Sequence, residues 1–328
     1  MKGERAMGIN RRRFLQALAA AGVVRGLNNG TWAAPQEEYP RKQITMLVAF
    51  AAGGKMDAEA RTLAVYVKKH LKVNVLIENV PGANGRIGLT KLWNSKPDGY
   101  TIGGVTLPNI LLVEAMTKAE FRSKEFTKIF AWGQTNQGLA VRTDTWNTLE
   151  EFVKAAKARP LSCGISGIGG TSHLAGLVLE EAFGVKFNWV PFDSGAEAVT
   201  ALAGKHIDAA MVASTTAVPL QRAGRIKVLV MSAWERDKTM PDVPIPKEFG
   251  YHYTPVPSIN GVAGPPGLDV EKVRILEAAF AKAAKEPEFI EWAQRTATPL
   301  VSLTGKEFSQ ATEEMAKEVE KYKHLLGS

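Results

Sequence analysis

The sequence has 328 residues, which is enough for one large domain or two of ordinary size. Hydrophobic residues make up 45% and charged residues 23%, a balance that excludes disorder over most of the chain. The single cysteine, Cys163, excludes an intramolecular disulfide and any multi-cysteine metal site. A formal net charge of +8 would suggest nucleic-acid binding if that charge lay on the folded part of the protein.

Much of the positive charge lies at the N-terminus. Residues 1–33 contain six basic residues and one acidic residue, so their removal lowers the net charge from +8 to +3. A basic head, an apolar segment at 14–24 and small residues at Thr31 and Ala33 are typical of a secretory signal. Asn10–Leu15 resembles the twin-arginine export consensus, with an arginine-rich signal of the ordinary secretory pathway as the alternative. We therefore expect a periplasmic protein with no nucleic-acid partner.

After the signal, predicted strands and helices alternate. The β-rich run Gln43–Phe50 predicts a strand buried on both faces, and residues 57–70 have helical spacing. Residues 73–78 predict the next strand, so the three elements form a βαβ unit with parallel strands. A helix at 87–93 and a strand at 101–106 continue this pattern.

The pattern restarts downstream, which predicts a second α/β unit. Thr148 and Glu151 form a capping box that opens a helix over 148–157. The other predicted elements of this unit are strands at 138–142, 161–165, 187–191, 208–212 and 226–231, and helices at 173–183 and 197–204. The charged tail, residues 306–326, predicts a solvated amphipathic helix that packs on one lobe.

Two glycine-rich loops, Ala51–Asp57 and Ser166–His173, each join a predicted strand to a predicted helix. Glycines let the backbone turn tightly and present N–H groups, and the following helix adds the positive end of its dipole. Both loops lie at the carboxyl ends of strands, where open α/β sheets bind ligands. One such loop is often a mere turn, but two equivalent loops in two lobes predict an anion held from both sides of a cleft.

The same residues do not match common catalytic motifs. The second loop lacks the Gly-Lys-Ser/Thr of a P-loop and the last glycine of the dinucleotide fingerprint. Ile168 stands where the nucleophile elbow of hydrolases needs glycine. The histidines form no His-x-His or His-x-x-x-His pair, and His173 either touches a ligand or packs at the start of its helix. We expect no catalytic group, cofactor or metal site.

Several segments match, in order, the blocks of a known family. They are Tyr39–Asp57, Val75–Gly88, Lys96–Thr101, Gly167–Gly176, Val190–Ala198, Gln221–Arg225 and Met240–Pro244. On these blocks the mature chain resembles the substrate-binding proteins of tripartite tricarboxylate transporters, often called Bug proteins. The resemblance implies a periplasmic two-lobed receptor that closes on a small carboxylate and delivers it to a membrane permease. It also implies that both glycine-rich loops bind carboxylate groups, partly through water.

Four positions depart from the family pattern. Lys55 and Met56 stand where a small residue and a threonine are common. Lys55 either adds a cation for the ligand or is a flexible surface lysine, and Met56 would suit a larger or aromatic acid. Asp193 replaces the usual lysine and would place a carboxylate near the cleft. Ser214 lies at a position where the family often has aspartate.

The predicted fold is the type II periplasmic-binding architecture, with two α/β lobes, a central sheet flanked by helices in each, and a ligand cleft between them. Lobe 1 would comprise residues 38–140 plus 264–328, and lobe 2 residues 141–263. The chain would cross between the lobes near 138–144 and return near 258–263.

The predicted ligand is a small organic anion with at least one carboxylate, bound by a monomer. Backbone N–H groups at Ala52–Gly54 and Gly169–Ser172 would hold it with the hydroxyls of Thr171 and Ser172, while Asp57 would cap its helix or hold a bridging water. The predicted ligand-binding residues are Ala52, Gly53, Gly54, Lys55, Met56, Asp57, Thr106, Ser166, Gly169, Gly170, Thr171, Ser172, His173, Asp193 and Ser214. A periplasmic hydrolase of a small carboxylate ester and a ligand sensor for a two-component system remain as alternatives.

Overall fold

The computed structural model describes residues 39–326, and the predicted export signal, residues 1–33, lies outside them. The strands are β1 Ile44–Val48, β2 Val75–Asn79, β3 Thr101–Leu107, β4 Thr127–Thr135, β5 Gln137–Arg142, β6 Leu161–Ile165, β7 Phe187–Pro191, β8 Ala209–Ala213, β9 Ile226–Ser232, β10 Ser258–Gly264 and β11 Leu300–Thr304. The helices are α1 Lys55–Leu71, α2 Arg86–Trp93, α3 Asn109–Met116, α4 Leu149–Ala158, α5 Thr171–Phe183, α6 Gly195–Ala203, α7 Ser214–Arg222, α8 Val270–Ala283, α9 Pro287–Arg295 and α10 Gly305–Leu326. None of these helices is both long and apolar enough to cross a membrane.

The first sheet contains six strands in the order β11-β4-β10-β3-β1-β2. β1 is parallel to β2 and β3, and α1 connects β1 to β2, so the predicted βαβ unit is confirmed. β10 is antiparallel to β3 and β4. Four of the five residues of β1 are buried, which is what its continuous apolar run predicts for a strand covered by helices on both faces.

The second sheet contains five strands in the order β7-β6-β8-β5-β9. β6 is parallel to β7 and β8, whereas β5 is antiparallel to β8 and β9. The predicted strands at 161–165 and 187–191 agree with β6 and β7 residue by residue. The Thr148 hydroxyl accepts the N–H of Glu151 at 3.2 Å, so the predicted cap of α4 forms.

The chain changes sheets earlier than the sequence predicts. β4 ends in the first sheet at Thr135 and β5 begins in the second sheet at Gln137, so Asn136 alone links them. β10 pairs within the first sheet, although the predicted boundary assigned residues 258–263 to the second lobe. Sheet membership depends on pairing between strands far apart in sequence, which local patterns do not show.

The C-terminal helix α10 packs against elements next to both sheets. It contacts β4 of the first sheet, α3 after β3 of the same sheet, and α5 after β6 of the second sheet. Its buried face includes Phe308, Met315, Val319 and Tyr322. The amphipathic helix was predicted correctly, and its 22 residues are long enough to reach α5 as well as the first sheet, so its contacts are more extensive than the sequence predicts.

Candidate functional site: two loops at helix N-termini

The first loop, residues 49–54, runs from β1 to the N-terminus of α1. Ala52 and Gly53 are exposed, and Gly53 has φ +79°, a backbone conformation that favours glycine. The Gly53 N–H donates to the Asp57 carboxylate at 2.9 Å, and the Gly54 N–H donates to the Ala51 carbonyl at 3.3 Å. These two glycine N–H groups, predicted to hold the ligand, are therefore used inside the loop.

Asp57 fixes this loop from the third position of α1. Its buried carboxylate accepts the Gly53 N–H and, at 2.9 Å, the side-chain amide of Asn79 from the end of β2. The Arg61 Nε lies 2.9 and 3.0 Å from the two carboxylate oxygens. The Arg61 hydrogen bond is the main reason that the pKa of Asp57 is lowered, so this carboxylate is ionised and serves the loop.

The second loop, residues 166–170, runs from β6 to the N-terminus of α5 and is fixed by neutral groups. The Ser172 hydroxyl accepts the N–H of Ser166 at 3.0 Å and lies 3.0 Å from the Ser166 hydroxyl. The N–H of Gly169 donates to the Nδ1 atom of His173 at 3.0 Å. Two further predicted ligand contacts, the Gly169 N–H and the Ser172 hydroxyl, thus hold the loop itself.

His173 is a buried, neutral histidine. Its ring packs edge-on against Trp189, with centroids 5.1 Å apart, and burial lowers its pKa to about 4. Because Nδ1 accepts a hydrogen bond, the proton of the neutral ring is on Nε2. The Ser166 hydroxyl bonds to Ser172 rather than to this imidazole, so the loop lacks the hydrogen bond from nucleophile to base that a serine hydrolase needs.

The backbone N–H groups that the two loops do not use lie in the first turns of α1 and α5. Within residues 39–326, the N–H groups of 55–57 and of 171–173 have no hydrogen-bond partner. The first helical bonds come one residue later, from Ala58 to Gly54 and from Leu174 to Gly170. Unpaired N–H groups at a helix start, together with the helix dipole, attract an anion. Thr171, half-buried at the first position of α5, adds a hydroxyl that has no partner in the same described range.

The Lys55 side chain extends from the end of the first loop to Thr135, beside the connection between β4 and β5. Its ammonium donates to the Thr135 hydroxyl and lies 3.6 Å from Glu59, while about a third of the side chain (34%) stays exposed. Burial is the main cause that lowers the pKa of Lys55, and Glu59 and Asp237 oppose this shift. The exposed Lys55 side chain is therefore held by Thr135 and Glu59, and its contact with a ligand stays a prediction.

Met56 is buried beside the first loop. Only 4% of the residue is exposed, and its side chain belongs to the core under the first sheet. A Cβ added at Gly104 would lie 3.0 Å from the Met56 sulfur, which shows how closely the side chain packs on β3. The expected contact between Met56 and an aromatic acid is wrong, because the second position of α1 points towards the sheet.

The remaining predicted residues lie at other strand ends. Thr106 donates to Asn260 at 2.9 Å within the first sheet. Asp193 is exposed between β7 and α6. Ser214 starts α7, donates its N–H to the Asn136 carbonyl at 2.9 Å, and has a fully buried hydroxyl without a partner among residues 39–326.

Sequence reasoning missed a buried polar network beside the first loop. Glu59, 1% exposed, accepts the Trp132 indole N–H at 2.9 Å and the Asn260 amide at 2.8 Å. Asn260 in turn accepts the hydroxyl of Thr106. A signal was available: Glu59 lies four residues before Leu63 and so falls on the apolar stripe of the helix, where a carboxylate needs buried partners.

The second loop also borders a cavity of about 560 Å³. Gly169 and Ile168 line it from the loop after β6 of the second sheet, and Asn84, Arg86 and Met116 line it from segments next to the first sheet. Residues 52–57, at the end of the first loop and the start of α1, are outside this lining. In the described part of the chain, no group of three or more His, Cys, Asp or Glu side chains could hold a metal ion.

A family model described as "Tripartite tricarboxylate transporter family receptor" matches residues 59–326. The chain belongs to this family. Among solved structures, this receptor is similar to a TctC solute-binding protein from Polaromonas, with 32% identity and a TM-score of 0.76 over 88% of this chain and 98% of that one. It is also similar to MatC from Rhodopseudomonas palustris, solved with bound malate, with 26% identity and a TM-score of 0.77 over 87% of this chain and 100% of that one. Protein BugT of Bordetella pertussis is 25% identical over 292 residues, which is 87% of each protein.

These similarities confirm the predicted family and the predicted two-lobed periplasmic-binding fold of this receptor. The proteins it resembles are solute-binding receptors rather than enzymes. The geometry of the second loop agrees with that class, since its serine and histidine hold backbone groups.

Proposed function

We propose that this receptor captures a small organic carboxylate in the periplasm, between its two lobes, and delivers it to the membrane permease subunits of a tripartite transporter. The observation that carries the proposal is a pair of loops, one at the end of β1 and one at the end of β6. Each precedes a helix whose first three N–H groups have no partner within residues 39–326. The malate bound to the similar MatC protein gives independent support for a carboxylate ligand.

The ligand carboxylate would accept hydrogen bonds from N–H groups at 55–57 and 171–173 and from the hydroxyl of Thr171. This set replaces the predicted donors at 52–54 and at 169, whose glycine N–H groups are used within the loops. Each hydrogen bond to a charged oxygen contributes about 1.5–3 kcal/mol. Each helix N-terminus adds about 0.3–1 kcal/mol from its dipole.

We assign the lobes by sheet membership. Residues 39–135 and 258–326 form lobe 1, and residues 137–257 form lobe 2, with Asn136 as one connection between them. This division supports the proposal because it places the first loop in one lobe and the second loop in the other. Closing the lobes would bring two positive helix ends onto one anion, and we expect a monomer to suffice for this.

A thermal-shift and calorimetric screen tests this function. The probes are acetate, malate, citrate, benzoate and glutamate, with succinamide and glucose as neutral compounds. At a hundredfold excess over its Kd, the cognate acid should stabilise the protein by about 2.7 kcal/mol and be recovered unchanged. Stabilisation by the neutral compounds alone, or turnover of the bound acid, would contradict the proposal.

A further inference from the structure

The Lys55 ammonium lies where the two lobes join. Lys55 is the first residue of α1, directly after the first loop, and its Nζ donates to the hydroxyl of Thr135, 80 residues further along the chain. Thr135 is the last residue of β4, and Asn136 alone separates it from β5 in the other sheet. The side chain therefore extends from the ligand-binding loop to the connection between the lobes.

Two carboxylates lie near this ammonium and differ in their hydrogen bonding. Both oxygens of Asp237 are bonded by neutral donors, one by the Asn136 amide at 3.0 Å and the other by the N–H and hydroxyl of Thr239 at 2.8 and 2.6 Å. In Glu59, the Oε2 atom accepts two bonds, whereas Oε1 has no hydrogen-bond partner within residues 39–326 and lies 3.6 Å from Lys55 Nζ. Glu59 thus holds the ammonium in place by charge attraction across a gap longer than a hydrogen bond.

Lys55 has donors to spare. An ammonium group has three N–H donors, and Thr135 accepts one of them. The contact with Glu59 is too long to use a second one fully. About a third of the side chain (34%) is exposed, and within residues 39–326 only Thr135 lies within hydrogen-bond distance of the ammonium.

We propose that Lys55 is the specificity-determining cation of the cleft, and that it binds a second carboxylate of the ligand while the two helix N-termini hold the first. The inference rests on the proposed function and goes further by naming diacids as the preferred ligands. Glu59 is a positioning residue, since it contacts the ammonium and not the ligand.

Matched ligands separate this role from carboxylate binding in general. The probes are succinate, glutarate and adipate, each compared by calorimetry with its monoamide, which has the same shape and one charge less. Wild-type protein should bind the best diacid about 10-fold to 100-fold more tightly than its monoamide. Lys55→Met and Lys55→Gln should reduce this preference to about threefold or less, and Lys55→Arg should retain most of it.

Lys68→Met is the matched control, because it removes one charge from an exposed position on the same helix, about 20 Å from Lys55. It should leave the preference unchanged, and melting curves should show that every variant is folded. If Lys55→Met and Lys55→Gln keep the wild-type preference, or weaken the diacid and the monoamide equally, the inference is wrong while the carboxylate receptor stands. If the wild type prefers the monoamide, Glu59 and Asp237 outweigh Lys55 and the inference is again wrong. If no acid binds at all, the proposed function fails as well.

Discussion

The two loops are fixed by the same kind of backbone hydrogen bond, but its acceptor is charged in one loop and neutral in the other. In each, the N–H of a glycine donates to the side chain four residues later, from Gly53 to Asp57 and from Gly169 to His173. The acceptor is an ionised carboxylate paired with Arg61 in the first loop and a neutral imidazole in the second. The second loop is therefore shaped without adding a negative charge beside α5, whereas the first loop needs a cation to balance its anion.

We expect the largest effect on the region of the charged first loop from replacing Glu59. Glu59→Ala should lower the free energy of unfolding by about 3–5 kcal/mol, because it leaves the Trp132 indole N–H and the Asn260 amide unpaired in the core. Urea denaturation measures this loss. Glu320→Ala, on the exposed face of α10, is the control and should change stability little. A loss below about 1 kcal/mol for Glu59→Ala would contradict the buried network.

Asp57→Ala removes the carboxylate that fixes the first loop. We expect a loss of about 2–3 kcal/mol, since three donors lose their acceptor, together with weaker carboxylate binding because the loop is no longer fixed. Asp269→Ala is a matched control: this exposed aspartate caps α8 through the N–H groups of Glu271 and Lys272. Its loss should be about 1 kcal/mol, with carboxylate affinity unchanged. Equal effects of the two variants on affinity would show that Asp57 is an ordinary helix cap.

The pH dependence of stability distinguishes the neutral loop from the charged one. The pKa of His173 is lowered from 6.5 to about 4, so between these values the unfolded state binds a proton that the folded state does not. Stability should therefore fall as the pH falls from about 6.5 to about 4. His173→Gln should remove up to one proton from this dependence, which denaturation at a series of pH values measures.

The lowered pKa of Asp57 makes stability depend on pH in a more acidic range than His173 does. Its stabilisation is present above the unfolded pKa of 3.8 and is lost as the pH falls through the still lower folded pKa. Asp57→Asn should therefore change the curve only in strong acid. If both variants altered the curve over the same pH range, the contrast between the loops would be wrong.

The smallest expected effects separate two neighbouring hydroxyls of the second loop. Thr171→Ala should weaken carboxylate binding about 10-fold and leave stability nearly unchanged, because its hydroxyl has no partner within residues 39–326. Ser172→Ala should instead lower stability by about 1 kcal/mol, because its hydroxyl holds the N–H of Ser166. Calorimetry and denaturation on both variants provide the comparison. Reversed effects would place Ser172, rather than Thr171, against the ligand.

Local sequence patterns predicted much of both α/β units and missed the elements that join them. β6 and β7 were predicted to the residue, and α1 and α5 to within two residues at each end. β4 was not predicted. It contains Lys128, a charged residue that interrupts the apolar pattern of the strand. Lys128 can nevertheless be buried, at 5% exposed, because its ammonium donates to the carbonyls of Ser123 and Phe126. α7 was also missed, and it includes Pro219, which ordinarily ends a helix.

For the candidate site, too, the sequence predicted the position of the loops but not the hydrogen bonds of single atoms. Glycine spacing located both loops, because tight turns and helix starts need particular residues at particular positions. It could not tell which N–H groups remain free, because the acceptors of Gly53 and Gly169 depend on side-chain direction. Met56 was misassigned for the same reason, since its position on the helix turns it into the core.

The sequence by itself therefore determined the local units, the two glycine-rich loops and the family, because these follow from short-range periodicity and from residues adjacent along the chain. Only the tertiary structure decided that Lys55 reaches Thr135, that Glu59 meets Asn260 201 residues later, and that Asn136 is where the sheets connect. These contacts arise from the order and pairing of strands. Strand order is set by burial over the whole molecule, and no segment of a few residues contains it.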